Sequence, residues 1–166
     1  MESQPNMDSV TPIKYYPPNK IFDYEVDECL VSEAEKYVSK FTWNEGIVER
    51  YIGYILRLKL GIFLFKIKKT RIDVDEWIWV LVGDIPPAYL TTDSCKTPSE
   101  ALDGYIGAME DWIEVAISKK SLEGVIPVNV APTVDNIKSL ESRLKFLDLE
   151  VLPKVKLVEL HAQSLS

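Results

Sequence analysis

The stretch Glu76–Leu90, EWIWVLVGDIPPAYL, decides the fold. Trp77 to Val82 are aromatic, β-branched or large aliphatic residues, the mix that suits a pleated and packed surface. In a strand, Trp77, Trp79 and Leu81 point to one side and Ile78, Val80 and Val82 to the other. Both sets are apolar, so the strand must be covered on both faces. A buried helix of the same composition would need more length. Gly83-Asp84 ends the run after about two helical turns, and Pro86-Pro87 forbids continuation.

Around this strand the chain has 166 residues, enough for one domain with an adequate core. The net charge of −7 disfavours nucleic acid and anionic membranes as partners. The charge is segregated, however. Seven of the 19 basic residues fall between Arg50 and Arg71, where no acidic residue occurs, and all 26 acidic residues lie outside that window. Two cysteines, Cys29 and Cys95, make no disulfide framework and suit a reducing compartment. No secretory leader or membrane span is visible, so the expected location is cytoplasmic.

Residues 1–20, with four prolines, read as an extended or disordered lead-in to a single domain over 21–166, and Tyr15-Tyr16-Pro17-Pro18 as a segment lying against that domain or docking a partner. Leu30, Ala34, Tyr37, Val38 and Phe41 have helical spacing, with Cys29 beside that stripe as a core residue. Thr42-Trp43-Asn44-Glu45 has the form of a capping box, which predicts a second helix carrying Ile47, Val48, Tyr51, Ile52, Ile55 and Leu58. Leu60–Lys68 alternates Phe63, Phe65 and Ile67 with Leu64, Lys66 and Lys68, as a half-buried strand does. Ala88–Thr92 reads as a short edge strand.

Thr97-Pro98-Ser99-Glu100 is the clearest helix start, with an N-cap threonine, proline at N1 and glutamate at N3. Leu102, Tyr105, Ile106, Met109, Trp112, Ile113 and Ala116 then form one stripe, opposite Asp103, Glu110 and Glu114. Val125–Val130 reads as a loop or edge strand. Thr133 caps a last strong helix through Val151, which Pro153 should stop, and residues 154–166 lean toward a further short helix. The expected fold is α+β: a small, mostly antiparallel sheet centred on residues 76–83 and packed with about four helices.

The Trp-rich strand entering Gly83-Asp84-Ile85-Pro86, then Tyr89, then the Thr97-Pro98-Ser99-Glu100-Ala101 helix ending near Trp112, resembles an uncharacterised family of bacterial domains. The similarity covers roughly residues 76–112. It implies a compact bacterial domain and no particular chemistry.

Little in the chain announces a reaction. The single histidine, His161, is near the C-terminus, and nothing local activates Cys95 as its nucleophilic partner. Histidine and cysteine are too few for a zinc site, the glycines form no phosphate-binding loop, and neither cofactor nor metal is expected. Asp73, Asp75, Glu76, Asp84 and Asp93 flank or follow the central strand, so two of them could converge at one sheet end, as paired carboxylates for a cation or a glycoside. RLKLGIFLFKIKKTR interleaves cations with aromatics as nucleic-acid binders do, but the aromatics occupy positions a core needs, and the acidic helix face of Asp103, Glu110 and Glu114 could neutralise the cations internally. The sequence therefore favours a binding protein over an enzyme. The expected function is an acidic protein-interaction module of an inhibitor or immunity type, which neutralises a basic partner. Its contact residues would be Asp84, Tyr89, Asp93, Asp103, Glu110 and Glu114. The alternative is a small carboxylate-based enzyme or ligand-binding domain with its site near the Gly83–Tyr89 turn.

Overall fold

The computed structural model describes residues 4–13, 27–69, 72 and 75–164. Five strands form an antiparallel meander in sequence order: β1 (Thr11–Pro12), β2 (Asn44–Leu56), β3 (Leu60–Lys69), β4 (Trp77–Gly83) and β5 (Ala88–Thr91). Helix α1 (Asp27–Ser39) covers one face. Helices α2 (Pro98–Ile117), α3 (Val134–Phe146) and α4 (Leu152–Ser164) cover the other. The class is α+β.

The two-faced reading of β4 holds. Trp77, Trp79 and Leu81 belong to the core under α2–α4, and Ile78, Val80 and Val82 to the core under α1. β3 divides in the same way: Leu60, Ile62 and Leu64 face α2–α4, while Phe63, Phe65 and Ile67 face α1. β3 is therefore buried on both faces along Leu60–Phe65, where alternation with its lysines predicts a half-buried strand. Those lysines occur only at its far end, where Lys66 is half-buried and Lys68 exposed while Ile67 between them stays in the α1-side core.

The second predicted helix is instead β2. Its register against β3 shifts between Asn44 and Ile47, between Ile47 and Glu49, and between Ile52 and Tyr54. Each bulge inserts an extra residue, so the side chains on one face no longer recur strictly every second position. Ile52 and Ile55 both enter the α1-side core although they are three apart, which imitates a helical stripe. The capping box does not form either. Asn44 Nδ2 donates to Val38 O at 3.1 Å, closing the end of α1, and Asn44 Oδ1 accepts from Gly46 N at 2.8 Å. Cys29, expected in the core, is exposed.

Thr97 caps α2 as predicted, its Oγ1 accepting from Glu100 N, and Thr133 caps α3 through Asn136 N. Pro153 does not end the last helix. A π-helical turn, Leu147–Val151, joins α3 to α4, and the Leu152 N–H donates to Leu147 O. A proline ring in a regular helix collides with the carbonyl four residues earlier, and the wider turn moves that carbonyl aside. The described residues thus contain three helical rods rather than about four helices, because one predicted helix is a strand and the last two are continuous. The lead-in is ordered where it is described: Thr11–Pro12 pair with β2, and Pro5 and Val10 are buried. Tyr15-Tyr16-Pro17-Pro18 lie outside the described residues.

Tyrosine hydroxyls sit in poorly solvated surroundings on both faces. Burial and the neighbouring Tyr89 push Tyr37 up to about 12, and burial also raises Tyr54 and Tyr105. Tyr105 Oη donates to Pro86 O at 2.6 Å, so it also pins the turn after β4. A folded-state value above the unfolded value means stability is complete below about pH 10 and is lost as pH rises toward 12. Urea midpoints should therefore be flat with respect to these groups up to about pH 9 and fall above 10. Tyr37→Phe should flatten that alkaline slope; an unchanged slope contradicts the assignment.

Candidate functional site

α2 and α3 run side by side over the sheet, and both fold as sequence periodicity dictates. Leu102, Tyr105, Met109 and Trp112 anchor α2, and Ile137, Leu140 and Leu144 anchor α3, in one core. Their outer edges do not close against each other. They leave an open groove of about 590 Å³ whose floor is Ile113, Ile117 and Leu144. Its rim carries Glu110 and Glu114 from α2, Glu141 from α3 and Asp148 from the π turn that follows it, against one cation, Lys145. Ile117 is 59 % exposed, so apolar surface is open to solvent between the carboxylates.

None of these four carboxylates joins an ion pair among the described residues, whereas carboxylates elsewhere are used by the fold. Glu35 pairs with Arg50. Glu49 and Glu76 flank Lys66 at 3.3 and 3.5 Å, and Lys66 Nζ lies 5.6 Å from the centre of the Trp77 ring. The hydrogen bond to Glu49, followed by the charge of Glu76, holds the Lys66 ammonium above its ordinary value. Glu159, on α4, accepts from Ser99 N and Ser99 Oγ at 2.6 Å each, closing the first turn of α2. The internal match for the basic stretch therefore comes from Glu35, Glu49 and Glu76, not from the α2 face that the sequence suggested.

A second concavity lies on the other flank of α3, against the Gly83–Pro87 turn, with a volume of about 340 Å³. Arg143 crosses it, donating from Nε to Asp84 O at 2.9 Å and from Nη2 to Asp84 Oδ1 at 3.1 Å, and from Nη1 to Ser139 Oγ. Asn129 and Asn136 complete its polar wall. Asp84 is the only carboxylate in the lining. The acids do not all share one sheet end: Asp75 and Glu76 precede β4 and Asp93 lies beyond β5, whose Thr91 pairs with Ile78 at that same end, whereas Asp84 follows β4 at the other. Asp73 lies outside the described residues. Among the described residues no group of three or more His, Cys, Asp or Glu side chains is placed to hold a metal ion.

The six residues expected at one contact are thus distributed over several surfaces. Glu110 and Glu114 share the groove, and Asp103 is exposed on the same helix outside it. Asp84 belongs to the Arg143 concavity. Tyr89 lies on the opposite face of the sheet, packed with Phe41 and Trp43 at ring distances of 5.1 and 5.2 Å. Asp93 is exposed in the loop between β5 and α2. Glu141 and Asp148 join the groove only because α3 and the turn after it pack beside α2, which no local pattern reveals. Cys95 is buried, its Sγ 3.5 Å from Glu100 O, and burial raises its thiol above the ordinary value, the reverse of an activated nucleophile. No family model, curated protein or solved structure matches the chain. Among the described residues no helix is long and apolar enough to cross a membrane.

Proposed function

We propose that the chain is a protein-interaction module of the inhibitor or immunity type, whose α2/α3 groove receives a basic partner. The resemblance of residues 76–112 to an uncharacterised bacterial domain family belongs to the same proposal. The observation that carries it is the groove itself: four carboxylates without ion-pair partners among the described residues, around an apolar floor on which Ile117 is open to solvent. Complementary charge speeds encounter, and desolvated apolar contacts hold the complex. The basic stretch favours nucleic acid less, because Arg50 and Lys66 are already paired with carboxylates.

The test compares the tagged chain with its Glu110→Lys/Glu114→Lys/Glu141→Lys variant in capture from the source organism's lysate. The expected result is one stoichiometric basic protein, weakened by salt and lost with the variant. Its association rate should fall by about 10-fold or more on charge reversal. Capture that ignores the variant, or recovery of nucleic acid alone, overturns the proposal.

A second reading, a ligand-binding domain at the Gly83–Pro87 turn, is favoured by the concavity holding Asp84, Ser139 and Arg143. With one carboxylate, already paired to Arg143, it favours binding over carboxylate-pair catalysis. Small polar metabolites should then shift the side-chain amide signals of Asn129 and Asn136, and unmoved signals would remove this reading.

A further inference from the structure

Two surfaces of the described chain lack an internal partner, and they are opposite in character. One is the acidic groove between α2 and α3. The other is the outward side of α4, where Leu157 is 65 % and Leu160 61 % exposed, beside the exposed Lys154 and Lys156. Neither lysine joins an ion pair among the described residues. A helix on a protein surface normally turns charged residues outward, and α4 turns leucines outward as well.

These two surfaces lie on one side of the same rod. Glu141, Lys145, Leu149, Pro153 and Leu157 recur every four residues from α3 into α4, and all are exposed. Residues four apart drift by about 40° per step around a regular helix. The π turn Leu147–Val151, with its larger number of residues per turn, takes back part of that drift. The stripe that begins at the groove rim, with Glu141 and Lys145, therefore continues into the exposed leucines of α4.

We propose that α4 of a second copy fills the α2/α3 groove, reciprocally, in a two-fold symmetric dimer. Residues 141–148 and 153–160 are equally distant from the Glu150–Val151 peptide bond, which lies within the π turn. Two rods crossing there in antiparallel sense place each copy's α4 over the other's groove. Leu157 of one copy then stands over Leu144 and Ile117 of the other, Lys154 over Asp148, and Lys156 toward Glu110 and Glu114. A crossing angle of about 20–50° is the usual range for packed helices and displaces α4 from the crest of α3 into the groove. The surface is self-complementary, as a two-fold interface requires. The choice of a second copy over a foreign protein follows from that: both the acidic apolar groove and the basic apolar helix are on this chain. The inference uses the groove of the proposed function without depending on a foreign partner. It adds a form of regulation, because dimerisation closes the groove that a basic partner would enter.

Sedimentation velocity on the full chain, up to about 200 µM, should show a dimer whose fraction rises with concentration. Leu157→Asp should weaken it about 100-fold or more while circular dichroism and thermal melting, compared at a concentration where both proteins are monomeric, stay unchanged, since Leu157 is 65 % exposed in the single chain. The decisive pair is Lys154→Glu/Lys156→Glu and Glu114→Lys/Asp148→Lys. Each variant alone should be monomeric, because each sets like charges against each other. Mixed, they should form a one-to-one heterodimer, because both contacts then pair opposite charges. A wild-type chain monomeric throughout this range, or variants that dimerise as wild type does, or a mixture that stays monomeric, overturns the inference. None of these outcomes touches the basic-partner proposal, which is read from loss of capture by the Glu110/Glu114/Glu141 variant.

Discussion

Gly83→Ala is expected to destabilise the fold by about 4 kcal/mol, enough to leave a domain of ordinary stability largely unfolded at moderate urea. Gly83 ends β4 at φ +131°, a backbone conformation that a side chain resists. A Cβ there would stand 2.2 Å from Lys59 O and 2.7 Å from the Lys59 carbonyl carbon. Those are backbone atoms of the β2–β3 turn, and they are held in place because Asp84 N donates to Lys59 O at 2.9 Å. Neither strand can retreat without breaking the pairing of Leu60 with Gly83. Two other glycines separate the causes. Gly46 has φ +149° but no atom within 4 Å of an added Cβ, so Gly46→Ala should cost only the backbone strain, about 1–3 kcal/mol. Gly107 lies in α2 with open space and an ordinary φ, so Gly107→Ala should stabilise by about 0.5–1 kcal/mol. Urea unfolding of the three variants gives the order; a Gly83→Ala loss no larger than that of Gly46→Ala would contradict the close-contact argument.

What the chain's letters disclose depends on how local each determinant is. β4 is legible because both of its faces are apolar, and that needs no knowledge of its neighbours. The start of α2 is legible because a cap and a proline act within one turn. β2 is not, because its bulges are set by pairing with β3, and they rearrange Ile52 and Ile55 into the spacing of a helix. The passage through Pro153 is illegible for a related reason. A proline stops a helix unless the preceding turn widens, and burial of Leu147, Val151, Leu152 and Val155 against the sheet stabilises the widened form. The groove was half legible. Glu110 and Glu114 announce an exposed acidic face, but Glu141 and Asp148 join them only because α3 returns alongside α2. Tyr89 faces the α1 side, away from the groove, because strand residues one apart face opposite sides of the sheet and it follows Ala88.

Trp79→Ala should cost about 3–5 kcal/mol, the range for emptying a large aromatic site in a closed core. Trp79 is 0 % exposed, and its paired neighbours Leu64 and Leu90 stand on the strands to either side. Its indole does more than fill space: Nε1 donates to Cys95 O at 2.8 Å, and Cys95 opens the short segment leading to the Thr97 cap of α2. The strand that organises the sheet thereby also fixes where α2 begins, and with it the acidic side of the groove. Trp79→Phe distinguishes the two roles. It retains most of the apolar volume but leaves the buried Cys95 carbonyl without its donor, at a cost of about 1–3 kcal/mol. If the hydrogen bond positions α2, Trp79→Phe should speed amide exchange in the first turn of α2 more than in β3. Equal acceleration in both would reduce Trp79 to a packing residue, and the start of α2 would then rest on Thr97 and on the Glu159–Ser99 hydrogen bonds alone.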